Sequence, residues 1–70
     1  MIYFTKYAEQ KFEILNKHKV YITREQIIEA VNLPDQVKKK ESCIKIRKDN
    51  LEIICKIEDD IKKVLTFYPI

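Results

Sequence analysis

Seventy residues with 46% apolar and 36% charged side chains are enough for one small folded unit and too apolar for a disordered chain. No run approaches the roughly 18 apolar residues of a membrane span, and MIYFTKYAEQ lacks the basic-then-apolar layout of a signal peptide, so a cytoplasmic location is expected. The formal charge of +3 permits an anionic partner without requiring one.

A core of this size is marginal unless tightly packed or supported by a partner, which keeps oligomerisation in view. Glycine is absent, so turns that need positive φ are expected to fall to Asn and Asp. The prominence of Ile, Lys and Glu is a bias shared by hyperthermophile proteins and by AT-rich genomes. In a reducing cytosol Cys43 and Cys55 are expected to be free thiols.

In chain order, Ile2 to Phe4 is a short apolar strand candidate, and Thr5 is placed to cap a helix running to about Lys17. Ala8, Phe12 and Leu15 form its buried stripe at helical spacing. Thr23-Arg24-Glu25-Gln26 fits a capping box, and Ile22 is placed to staple onto Ile27. Ile27, Ile28 and Val31 give the second helix its core face, and Pro34 ends it by disfavouring helical geometry at Leu33. Val37 begins a strand whose Lys38-Lys39-Lys40 run marks an exposed edge, where lysines discourage pairing with other chains.

The remaining residues form two hairpins. With Asp49-Asn50 as a two-residue turn, Ile46 faces Ile53 and Ile44 faces Cys55 on one side of the sheet, while Arg47 faces Glu52 on the other. Asn50 is the residue expected to take the left-handed conformation. A three-residue loop would mix apolar and charged faces, and the tighter turn also sets Cys43 and Cys55 on opposite faces, which argues against a disulfide between them. The second hairpin turns near Asp59-Asp60 and returns through Val64 to Tyr68. Its register is open, because both parities carry apolar residues. Ile54 lies opposite Ile53 and Cys55, so both faces of the central pair are expected to be at least partly covered, through Ile54 and Val64 by a further helix contact, a twin subunit or a partner protein. The pattern as a whole predicts an α+β domain spanning residues 1–70, with two N-terminal helices on a three- or four-stranded antiparallel sheet.

There is no glycine-rich phosphate loop, no HExxH and no CxxC, and one His with two distant Cys does not make a zinc spacing, so no metal or cofactor is expected. Lys17-His18-Lys19 sets an imidazole among cations, which would suit a general base acting on an RNA 2′-hydroxyl, although the plainer reading is a solvated helix end. Lys45, Arg47 and Lys48 cluster at the first hairpin, with Lys56, Lys62 and Lys63 nearby. They are candidates to grip a phosphate backbone, with Tyr68 or Tyr7 stacking on an unpaired base. The plainer reading is polar alternation on a solvated face, with Arg47 engaged by Glu52.

Two stretches, FTKYAEQKFEILNKHKVYITREQIIEAVNLPDQV and IKIRKDNLEIICKIEDDIKKVLTFYP, carry a helix entry, an Ile-Thr capping segment, an Asn-Leu-Pro-Asp stop and a Thr-x-Tyr-Pro ending. Together they resemble the small domain-of-unknown-function family 4258, itself similar to the RelE/ParE and BrnT toxin fold. Relatives in that family show a His-Ala step entering the first helix and an Arg further along it. Here Tyr7 precedes Ala8 and Lys11 stands in place of the Arg, so a hydroxyl and a charge are retained while the imidazole and the guanidinium fork are gone. Arg47, Thr66 and Tyr68 match the pattern. The resemblance implies a toxin-module-like protein acting on RNA or the ribosome; together with the residue reading above, it makes Tyr7, Lys11 and His18 the catalytic candidates and Lys45, Arg47, Lys48 and Tyr68 the nucleic-acid contacts. The competing expectation is a non-catalytic interaction module that works as a homodimer or with an antitoxin-like partner.

Overall fold

A computed structural model describes all residues from Met1 to Ile70. Its order is β1 (Ile2–Phe4), α1 (Lys6–Lys17), α2 (Arg24–Asn32), β2 (Gln36–Lys40), β3 (Cys43–Lys48), β4 (Leu51–Glu58) and β5 (Ile61–Pro69). The α+β arrangement of two N-terminal helices on a sheet is as expected. The sheet differs: it has five strands in the order β1-β5-β4-β3-β2, and β1 runs parallel to β5. A strand of three residues pairs with the last strand of the chain, leaving almost no local sequence record of its partner.

Both helices begin as their caps dictate. Thr5 accepts from the Ala8 N–H, and Thr23 accepts from the Gln26 N–H while the Gln26 side chain accepts from the Thr23 N–H. Leu33, held before Pro34, closes α2. The end of α1 is a Schellman motif, with the Val20 N–H bonding Leu15 O, the Lys19 N–H bonding Asn16 O, and Lys19 itself left-handed at φ 61°. Without glycine the left-handed positions are therefore wider than Asn and Asp: Lys19 and Glu41 join Asp49, Asp59 and Asp60. In the first hairpin the left-handed residue is Asp49 and not Asn50, whereas Asp59 and Asp60 are both left-handed in the second, as a type I′ turn requires.

The register of the first hairpin is the expected one, pairing Ile46 with Ile53, Ile44 with Cys55 and Arg47 with Glu52. The second holds a bulge: Ile54 pairs with Thr66 and Cys55 with Val64, so Leu65 is an extra residue on β5. The bulge changes which parity of β5 faces the helices, Phe67 above it and Val64 below it. This is why both parities are apolar. The bulge is held by a residue distant in sequence but adjacent in the sheet, since the Thr5 N–H and hydroxyl, just after β1, both donate to Val64 O, at 3.1 and 2.8 Å.

The core lies between the helices and one face of the sheet. It comprises Ala8, Ile27, Ala30, Val31, Ile46, Ile53, Cys55, Val64 and Phe67. Phe12 links layers, tilted against Phe67 at 4.5 Å and edge-on to Phe4 at 5.9 Å. Above it Arg24 stacks on the Phe12 ring and pairs with Glu9, joining the helices. In α2 the small Ala30, not Ile28, fills the expected core place, and Ile28 faces solvent. Both cysteines are free, and Cys55 is buried under the helices while Cys43 lies on the opposite face. No helix is long and apolar enough to cross a membrane.

Candidate functional site

The other face of the sheet has no helix over it. Strand alternation and register arrange its side chains in rows that cross the strands. The first row runs Gln36, Arg47, Glu52, Tyr68, and the second runs Lys38, Lys45, Ile54, Thr66. The third runs Lys40, Cys43, Lys56, Lys63, Tyr3. With Glu58 and Ile61 at its end, this face holds six of the fourteen Lys and Arg residues but two of the eleven acidic ones, so it carries +4 against +3 for the whole chain. Lys38 stands directly opposite Lys45, and Lys56 directly opposite Lys63. Like charges placed directly across a strand pair are destabilising.

Glu52 is the buried exception, only 4% exposed on a face that no second layer covers. Its own neighbours close it off. Oε1 lies 3.6 Å from Lys45 Nζ and 3.5 Å from Arg47 Nη2, and the Tyr68 ring approaches from β5. The Tyr68 hydroxyl is the largest influence holding the Glu52 carboxyl below its ordinary value; desolvation opposes it, and Lys45 and Arg47 add to it. The facing Glu52 carboxylate, with burial, raises Tyr68. Beside Glu52 is a hollow of about 40 Å³ lined only by polar residues, Gln36, Lys38, Lys45, Arg47 and Glu52.

The structure brings Lys45, Arg47 and Tyr68 together around Glu52. It separates the other candidates from them. Lys48 points to the helix side, where its ammonium donates to Leu33 O at 2.9 Å and ties the hairpin to the end of α2. Tyr7, Lys11 and His18 follow one stripe of α1, in the layer behind the sheet, with Tyr7 79% exposed. Eleven residues of helical rise put Tyr7 and His18 about 16 Å apart along the axis, too far to act on one phosphate. Ile54 and Val64 do not share a surface: Ile54 lies half-buried on the open face, and Val64 is fully buried under the helices. Val64 is therefore a core residue and not part of an interface, because the Leu65 bulge turns it inward.

Sequence reasoning missed Lys38, Lys40 and Tyr3. The lysine run reads as edge protection, and only the pairing of β2 with β3 sends Lys38 and Lys40 to the open face with Lys39 on the other. Comparison of the chain with family models, with curated proteins and with solved structures gives no match.

Proposed function

We propose that this protein binds single-stranded RNA on the open face of its sheet, as a toxin-module-like protein of RelE type whose partner is an RNA or the ribosome. The observation that carries the proposal is the pair of cross-strand lysine pairings, Lys38 with Lys45 and Lys56 with Lys63. Glu58 reaches both Lys56 and Lys63 and offsets their repulsion in part, while Lys38 has no acidic partner; a polyanion running along the strands, and so across the rows, relieves both pairings. Rows two residues apart on a strand are about 6.7 Å apart, close to the step between phosphates of an extended single strand. Tyr3 and Tyr68, at the rim of the lysine rows, offer ring faces to unpaired bases. The choice of RNA over DNA rests on the family resemblance. The proposal is one of binding, because Tyr7, Lys11 and His18 stand apart from this face.

An acidic, antitoxin-like protein would recognise the same lysines through its carboxylates. A homodimer through this face is disfavoured by the like charge it would bring together.

Fluorescence anisotropy with a labelled RNA of about ten nucleotides tests the proposal. Binding at low salt is expected, weakening as salt rises with a log–log slope near −3 for about four neutralised phosphates. Lys56→Glu with Lys63→Glu should weaken it about tenfold or more. No binding of the wild-type protein at about 50 mM salt, with or without ribosomes, sinks the proposal.

A further inference from the structure

Glu52 poses a problem for any account in which this face simply attracts phosphate. It is an anion in the end row of a basic surface, beside Lys45 and Arg47, and burying it carries a desolvation cost that an exposed acid would not. If its role were to neutralise Lys45 and Arg47, a solvated glutamate would do so more cheaply, as Glu58 does for Lys56 and Lys63 at 3.8 and 3.4 Å. What burial supplies is a fixed position. Glu52 is the second residue of β4, on the central strand of the sheet and flanked by Arg47 on β3 and Tyr68 on β5, so its carboxylate has little freedom to follow its partners.

The cations it holds are not used up by it. The Lys45 and Arg47 side chains remain 50% and 48% exposed, and both ion pairs fall on Oε1 at distances beyond a tight charge-assisted hydrogen bond. Arg has five N–H donors and Lys three, so most donors stay free for a ligand. Both side chains line the polar hollow with Gln36 and Lys38, and its volume of about 40 Å³ and wholly polar lining suit phosphate oxygens.

We infer that Glu52 is a positioning residue, which holds Lys45 and Arg47 as a preformed clamp for one phosphate of the bound strand at the hollow between β2 and β3. The inference rests on the RNA-binding proposal and deepens it, assigning one subsite and an organiser to a surface otherwise described by its charge. It gives an existing acid on the binding face the opposite sign of effect from the one Coulomb's law assigns.

That sign is the test. Glu52→Gln removes a negative charge and keeps the shape of the side chain, so simple attraction predicts tighter binding and a steeper salt slope. Positioning predicts that affinity for the same RNA oligonucleotide falls about tenfold and that the slope flattens by about 0.7, because one phosphate is no longer neutralised although the net charge of the protein has risen. Glu52→Asp keeps the charge and withdraws the carboxylate by one methylene. It should also weaken binding, whereas a neutralising role would leave it at the wild-type level. Thermal melts of both variants identify the folded one to be used, and either alone decides. Tighter binding by Glu52→Gln, or unchanged binding by Glu52→Asp, overturns the clamp while the RNA-binding proposal stands. Absence of binding by the wild-type protein removes both.

Discussion

The two faces of β4 obey opposite rules. Ile53 and Cys55 point to the helices and are fully buried among apolar neighbours, while Glu52, Ile54 and Lys56 point to a face covered by nothing and crowded with like charge. On the helix side each side chain lowers the free energy of the fold by leaving water. On the open side the direct opposition of Lys38 and Lys45 raises it, and that of Lys56 and Lys63 is offset in part by Glu58. A 70-residue domain with a nine-residue buried core has little stability to spare, roughly 4–10 kcal/mol at typical values per residue.

The largest effect that would sharpen this contrast is at Phe67. It is fully buried, packs on Phe12, and lies on β5 between Thr66 and Tyr68, which face the other way. Phe67→Ala should cost about 3–5 kcal/mol in urea denaturation, most of the stability expected for this chain. Thr66→Ala, one residue away on the open face, should change stability by no more than about 0.5 kcal/mol. Comparable losses at both positions would mean that the open face is as much a part of the folding core as the covered one.

The boundary between what could be read in advance and what could not runs through the same strand. The β3–β4 register was open to inference because Asp49-Asn50 leaves two residues between well-matched apolar runs. The β4–β5 register was not, because the Leu65 bulge is fixed by Thr5, about sixty residues away in sequence, and no local signal announces it. The consequence reaches the candidate site. Arg47 opposite Glu52 follows from the first hairpin, but the burial of Glu52 depends on Tyr68, which arrives only across the bulged pair. Helix caps, by contrast, are local, and Thr5, Thr23 and Gln26 act where their spacing says they should. The parallel pairing of β1 joins the two ends of the chain, and a three-residue strand carries too little pattern to specify it.

The two thiols give a chemical measure of the same contrast. Burial pushes the Cys55 thiol up to about 11 from an ordinary 9.0, against a smaller opposing effect of Lys62. Cys43 is half-buried on the open face. A disulfide reagent at about pH 8 should therefore label Cys43 readily and Cys55 only as fast as the protein unfolds. The pH dependence has a definite sign. As pH rises through 9.0 the unfolded chain loses the Cys55 proton first, while the folded protein keeps it until about 11, so stability falls across that window and is unaffected below it. Comparison of wild type with Cys55→Val between about pH 8 and 11 isolates this contribution from the titration of lysines. Equal labelling of both thiols would show that the helix layer does not seal its face of the sheet.

The smallest expected change in stability makes the sharpest separation of the two faces. Lys38→Glu converts the directly opposed Lys38–Lys45 pair into an attractive one on an exposed edge strand, which should add about 0.5 kcal/mol by urea denaturation. The same substitution puts a negative charge into the second lysine row and beside the phosphate hollow, so RNA affinity measured on the same sample should fall about tenfold. Stability and binding then move in opposite directions from a single side chain, as they must if the lysine is present for a ligand. On the covered face no substitution should do this, because there a loss of packing lowers stability and carries binding down with it. A Lys38→Glu variant that is both less stable and weaker in binding would place β2 among the elements that hold the fold together, and the lysine pairs would no longer be evidence for a partner.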